Sequence, residues 1–289
     1  MDIKKEERAK YKSILLRTFR DFDSFCKENS ISYCLAGGSL IGAIRHKGLI
    51  PWDDDIDVYM TLDNYKRFLD LKKNLKIPYR IDDMRDKGYF KPFAKFCDAN
   101  TTIVQGEDIP FVYGVFIDIF PLYEGSIEDY KELHHKFNKY SWKYEMGTRN
   151  VSWKDLLSTL NVNGLKCMFG KLKYKVVYRL LRPYFLKKFK QVEQECCNRK
   201  GNLYISYCGI YDNECYPKKW FSSMLEKTFE NQTCLVPCGY HEYLTHLYGD
   251  YMTPPPIEVQ RQPTHPYWYM NLEKFMTLDE VKAKMKNKR

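Results

Sequence analysis

Four aspartates fall within five positions, Asp53, Asp54, Asp55 and Asp57, directly after a Pro51-Trp52 corner. Carboxylates this close repel one another unless a cation sits among them, and a hard divalent ion prefers all-oxygen ligands. Ile56, Val58 and Met60 alternate with Asp55, Asp57 and Tyr59, which is the period of a strand. The alternation predicts a strand over residues 55–60 with Asp55 and Asp57 on one face, about 7 Å apart. Upstream lies Gly37-Gly38-Ser39. A small-residue turn that enters a helix presents backbone N–H groups and a hydroxyl to an anion such as phosphate. A phosphate cradle beside a metal-binding acid pair suits phosphoryl transfer, where positioning and charge neutralisation supply most of the catalysis. A lone Asp-x-Asp reads as a solvated acidic loop. The glycine turn, the strand alternation and Trp52 beside the acids argue against that here.

The stretch GGSLIGAIRHKGLIPWDDDIDV, residues 37–58, resembles the signature of the LicD-like phosphocholine transferases, a family distantly similar to fukutin-related protein. That family belongs to the DNA polymerase β-like nucleotidyltransferase superfamily. The superfamily pattern, Gly-Ser followed by Asp-apolar-Asp-apolar, matches Gly38-Ser39 and Asp55-Ile56-Asp57-Val58, with fifteen residues between Ser39 and Asp55. The resemblance implies a third carboxylate on a later strand, and Asp118 in FIDIFPLY fits it. A C-terminal block, FE…VPCGYHEYLTHLYGDYMTPPP over residues 229–256, extends the likeness to roughly residues 30–265.

The resemblance implies an α/β (α+β) fold: a nucleotidyltransferase-like mixed-sheet core with additional helices. Residues 1–125 would form the catalytic core and 126–200 a helical, basic segment. Residues 201–289 would complete the same domain. The implied activity is transfer of phosphocholine, or a related phospho-alcohol or phosphonate, from a CDP- or CMP-activated donor. The acceptor would be a hydroxyl of a cell-surface glycan or lipid-linked glycan, of lipopolysaccharide, teichoic acid or capsule, and CMP would leave. Asp55, Asp57 and Asp118 would hold Mg²⁺, with Mn²⁺ as a substitute. Asp118, or Asp53, would act as the base. Gly37, Gly38, Ser39, Arg45, His46, Trp52 and Lys95 would contact the donor. Two rivals are nucleotidyl transfer from an NTP and a non-catalytic protein that binds glycan or membrane.

The surrounding pattern supplies the elements that would position these groups. Ile14, Leu15, Phe19, Phe22 and Cys26 recur at helical spacing and predict a helix over 3–29. A buried strand over 31–35, a helix from the glycine turn to Ile44 and a helix over 64–74 follow. Residues 89–105 read as a hairpin turned at Asp98-Ala99-Asn100, with Lys91, Phe93, Lys95 and Cys97 on one face. Lys91 and Lys95 either reach a donor phosphate there or form a solvated strand face, and the family resemblance favours Lys95 for the donor. A strand over 112–120, closed by Pro121, places Asp118 between Phe116 and Phe120. A carboxylate in apolar surroundings needs a partner, and a shared metal would supply one. Residues 126–146 are helical. The adjacent His134 and His135 point apart on a helix and make poor co-ligands.

With 289 residues, 44% of them apolar, the chain can bury a sizeable core. The net charge of +10 points to anionic partners: a nucleotide, a phosphoglycan or an anionic lipid headgroup. No zinc-finger, helix-turn-helix or RNP-like pattern points to nucleic acid. The charged N-terminus is not a secretory signal, and the longest uncharged apolar-rich run, residues 31–44, is too short to span a bilayer. The expected location is cytoplasmic, with peripheral contact at the inner face of the membrane, and the ten cysteines are expected to be reduced.

Residues 156–192 carry nine basic residues and no acid, interleaved with apolar side chains, and suit either an anionic membrane surface or a solvated bundle face. Cys196, Cys197, Cys208 and Cys215 lack the spacing of common zinc knuckles, so structural thiols are expected rather than structural Zn²⁺. Tyr267-Trp268-Tyr269 could cage a quaternary ammonium or pack in the core.

Overall fold

The computed structural model describes residues 5–75, 78–150, 172, 174–209, 211–261 and 267–287. Its strands are β1 (Cys34–Leu35), β2 (Asp57–Thr61), β3 (Tyr79–Asp82), β4 (Ala94–Asp98), β5 (Thr102–Val104), β6 (Phe116–Gly125), β7 (Leu203–Ile205), β8 (Cys215–Pro217), β9 (Met224–Phe229), β10 (Gln232–Pro237) and β11 (Tyr269–Asn271). The helices are α1 (Lys5–Glu28), α2 (Gly37–Ile41), α3 (Leu62–Asp70), α4 (Ile127–Thr148), α5 (Arg182–Asn198), α6 (Tyr240–Tyr248), α7 (Ile257–Gln260) and α8 (Leu278–Lys286). The fold is mixed α/β. Its main sheet runs β1-β2-β6-β4-β3, with β7 and then β8 added at the far end of β6. Only β2 and β6 run parallel within it; the other neighbours are antiparallel.

Helical spacing builds the support behind this sheet. Leu15, Phe19, Phe22 and Cys26 form one fully buried stripe of α1. The Phe22 ring meets Tyr33, Phe68 and Phe96 edge-on, at centroid separations of 5.0, 5.9 and 5.5 Å. One hydrophobic cluster extends from Tyr11 on α1 to Tyr267 near the C-terminus. A reciprocal capping box between Ser126 and Asp129 starts α4. Pro183 lies in the first turn of α5, where its missing N–H is harmless.

The structure departs from the sequence expectations in three respects. First, pairing in β2 begins at Asp57, so Asp55 precedes the strand. The strand expected over 31–35 likewise pairs only at Cys34 and Leu35. Second, residues 89–105 do not form a hairpin. β4 is buried along its whole length between β3 and β6, and β5 pairs with β11 instead. A central strand with both edges occupied has no edge left for its sequence neighbour.

Third, β6 runs through Pro121 to Gly125. The Asp118 N–H donates to Ile56 O on the β2 side, so Pro121, three residues on, turns its nitrogen to the opposite edge. There the pairing with β4 has ended at Ile119 and the pairing with β7 has not begun before Tyr123. No ladder bond is lost.

Of the basic segment, Lys166, Lys171 and Lys173 lie outside the described residues. Its described part exposes Val176, Val177, Leu180, Leu181 and Tyr184 beside Arg179 and Arg182. Among the described residues no helix is long and apolar enough to cross a membrane.

Candidate active site

Strand register brings the charged groups into one row. Asp57 on β2 lies opposite Asp118 on β6, and Asp118 lies opposite Lys95 on β4. Residues paired in register point to the same face of a sheet. All three line a cavity of about 1140 Å³, together with Gly37, Gly38, Asp53 and Asp55. Two acids distant in sequence thus become neighbours through one parallel strand pair.

Lys95 is 1% exposed and Asp118 9% exposed, and the two form an ion pair. The Lys95 ammonium also sits 3.4 Å from the centroid of the Phe116 ring, with Phe93 and Tyr113 at 5.4 and 5.3 Å. The partner that the buried Asp118 requires is therefore this lysine.

The glycine turn brings backbone close to the acids. Gly37 has φ +49°, a left-handed conformation that glycine adopts without strain. A side chain there would begin 3.3 Å from Tyr248 Oη and 3.8 Å from Asp57 Oδ2. At Gly38 a Cβ would fall 2.9 Å from Asp53 Oδ2. The Gly37 N–H donates to Tyr243 Oη at 3.1 Å. Ser39 is buried, and its hydroxyl accepts the Asp57 N–H at 2.9 Å. Its described role is thus to tie α2 to the start of β2.

Arg45, His46 and Trp52 gather elsewhere. Arg45 and His46 end the π-helical turn Gly42–His46, and the Arg45 guanidinium donates to Tyr251 O at 2.6 Å. That guanidinium lies 5.9 Å from the Trp52 ring centroid, and His46 meets Trp52 edge-on at 5.8 Å. Burial and the Arg45 charge hold the His46 pKa below its ordinary value. None of the three lines the cavity among its described residues.

Electrostatics set the character of the acidic end. Burial pushes the Asp57 carboxyl well above the usual range, and the charges of Asp55, Asp118 and Asp53 push it further; Lys95 opposes them. This is a surplus of negative charge, offered by oxygen atoms alone, and it fits a hard divalent ion. The acidic trio whose carboxylate oxygens lie within 4.8 Å of one another is Asp53, Asp54 and Asp55 among the described residues. The expected set of Asp55, Asp57 and Asp118 is not gathered within that distance among the described residues, and Lys95 pairs with one oxygen of Asp118.

Other cavity residues escape a reading of the acidic motif. His135, Asn138, Lys139 and Trp142 line the cavity from α4. Their i, i+3, i+4, i+7 spacing marks one helix face, a signal present in the sequence. Lys91 also lines it, and pairs with Glu145 at 3.3 Å. Tyr211, Glu214, Tyr243 and Tyr248 close the wall from the C-terminal third.

The proposed aromatic cage is absent: Tyr267 packs on Tyr11 at 6.0 Å, and Tyr269 is buried with Met276. Cys196, Cys197, Cys208 and Cys215 are free thiols packed in or against a second core cluster, and no cysteine grouping suited to a metal occurs among the described residues.

The family profile described as LicD/FKTN/FKRP, nucleotidyltransferase domain, matches residues 30–163. The chain is similar to the lipopolysaccharide cholinephosphotransferase LicD of Haemophilus influenzae, with 34% identity over 252 residues that cover 83% of this chain and 89% of that protein. Shorter likenesses join it to an uncharacterized protein of Rickettsia typhi, 34% identical over 23% of this chain and 22% of that one, and to another of Rickettsia prowazekii, 41% identical over 15% and 16%.

Two stability measurements test the charge arrangement. Lys95→Met leaves Asp118 buried without its cation and should cost about 3–5 kcal/mol by chemical denaturation, with much of the loss recovered when Asp118→Asn is added. A loss under about 1 kcal/mol, or no recovery, contradicts the pairing. Asp57→Asn should stabilise the chelator-treated protein at neutral pH. Below the ordinary carboxylate value Asp57 is protonated in both the folded and the unfolded chain. Above it the unfolded chain ionises first, so wild type falls behind the variant as pH rises from about 4 to 7. Parallel stability curves for the two proteins across that window contradict the clash.

Proposed function

Because the chain belongs to the LicD family, we propose that it moves phosphocholine from a CDP-activated donor to a hydroxyl of lipopolysaccharide or a similar cell-surface glycan. The observation that carries this reading is the register match of Asp57 with Asp118 in the wall of one cavity, alongside Asp53 and Asp55. The likeness to the Haemophilus cholinephosphotransferase, over 83% of the chain, supports it.

In this reaction the acceptor oxygen attacks the phosphorus that bears choline. The bond from that phosphorus to the bridging oxygen breaks, and CMP departs with the electron pair. The proton of the acceptor hydroxyl needs a base. We assign the proton to Asp53, which lines the same cavity beside Gly38. Lys95 fixes Asp118, and the Ser39 hydroxyl fixes the backbone of Asp57. Lys91 and Lys139 add positive charge to the wall that would face the anionic donor. Asp55, Asp57 and Asp118 would hold Mg²⁺ or Mn²⁺. When bound, such an ion neutralises charge on the leaving group.

We place the acceptor at an anionic membrane surface, on account of the exposed Leu180, Leu181 and Tyr184 beside Arg179, Arg182, Lys187 and Lys188. Each basic side chain near such a surface contributes about 1 kcal/mol.

The reading is tested by incubation with a panel of CDP-linked alcohols and assay of the nucleotide product. CDP-choline should yield CMP, and Asp57→Asn should lower turnover by ~100-fold or more. Pyrophosphate release from an NTP would favour nucleotidyl transfer instead. Turnover by the variant within a few-fold of wild type would remove Asp57 from the site. For the membrane contact, wild type should sediment with anionic vesicles at low salt. Charge reversal at Arg179, Arg182, Lys187 and Lys188 should leave it in the supernatant. Wild type that stays in the supernatant rules out the contact.

A further inference from the structure

Glu214 is a carboxylate that the transfer chemistry above does not use. It is 3% exposed, yet it lines the same cavity as Asp55, Asp57 and Asp118. One carboxylate oxygen accepts from Tyr59 Oη at 3.2 Å and from Tyr216 Oη at 3.3 Å. The other accepts the Tyr211 N–H at 3.1 Å. Gly209 makes room for it: a Cβ there would lie 1.8 Å from both carboxylate oxygens. Burial raises its pKa, against the pull of these hydrogen bonds. No lysine, arginine or histidine forms an ion pair with Glu214 among the described residues.

Aromatic rings enclose the space in front of it. Tyr59, Phe120, Tyr211, Tyr243 and Tyr248 share the cavity wall with Glu214. Tyr59 and Tyr243 meet edge-on at 6.1 Å, and Tyr211 and Tyr248 at 5.4 Å. Tyr59 lies two residues beyond Asp57 on β2, on the same face and about 7 Å away.

A buried carboxylate that no cation among the described residues neutralises favours a cation from a ligand. Aromatic faces favour a cation whose charge is spread over apolar surface. We propose that Glu214 and the tyrosines around it form the subsite for the quaternary ammonium head group of the donor, which makes Glu214 a specificity-determining residue. This rests on the phosphocholine reading above.

The test compares phosphocholine with 3,3-dimethylbutyl phosphate, which has the same shape and a neutral head, by calorimetric affinity. Wild type should prefer phosphocholine by about tenfold or more. Glu214→Gln keeps the shape of the side chain and should bring the ratio close to one. Tyr248→Leu leaves the carboxylate in place and should lower the ratio about fivefold; it carries the test if the glutamine variant fails to fold. A wild-type ratio near one, or a ratio unchanged in these variants, overturns the subsite. If either occurs while CDP-choline is still turned over with CMP release, the transfer reading survives. If choline donors are inert and another CDP-alcohol is consumed, the phosphocholine reading fails and the subsite falls with it.

Discussion

The arrangement depends on keeping several carboxylates together at the centre of a sheet. Asp57, Asp118, Asp55 and Asp53 face one space, and their mutual repulsion is visible in the raised Asp57 carboxyl. Lys95 is the counterweight that the chain supplies. It comes from the strand on the other side of β6 and lies under three aromatic rings. Its charge answers one oxygen of Asp118 and leaves the rest of the acidic group in excess. That excess leaves the acidic end of the cavity with more negative charge than the chain neutralises there. The stability of the sheet and the chemistry of the site therefore draw on the same electrostatic imbalance.

Much of this was legible in residues 37–58, and the reason is local. Alternation of apolar and acidic side chains marks a strand and the face of Asp57, though it starts the strand two residues early at Asp55, and a glycine pair followed by serine marks a tight entry into a helix. Asp118 could be assigned only through family likeness, because nothing in its own neighbourhood says which strand will lie beside it. The parallel pairing of β2 with β6 decides that, and it joins residues about sixty positions apart. The failed hairpin at 89–105 has the same origin: local alternation reveals a strand but not its partners. Arg45 and His46 stand close to the acids in sequence yet turn aside, because the π-helical turn Gly42–His46 aims Arg45 at Tyr251 and both residues at Trp52. Glu214 carries no sequence signal at all. A single glutamate beside tyrosines is unremarkable until Gly209 and Tyr59 close around it.

The cavity wall also divides the labour between two kinds of surface. At its acidic end strand register places Asp57 and Asp118, and the loop before β2 adds Asp53 and Asp55. Its aromatic end is made by α6 and the chain around Glu214, where ring packing sets the shape. A site built this way can keep its reacting end fixed while the other end is retuned by a few substitutions.

The hydrogen bond from the Gly37 N–H to Tyr243 Oη joins positions 206 residues apart. A nascent chain emerging from the ribosome can form α1, β1 and β2 long before Tyr243 has been made. During that interval the acids exist without the far wall of their cavity. Closing so long a loop is slow compared with local helix and strand formation. The cavity that holds the acids is therefore walled on that side only after Tyr243 and Tyr248 have been synthesised, some two hundred residues after the glycine turn they face.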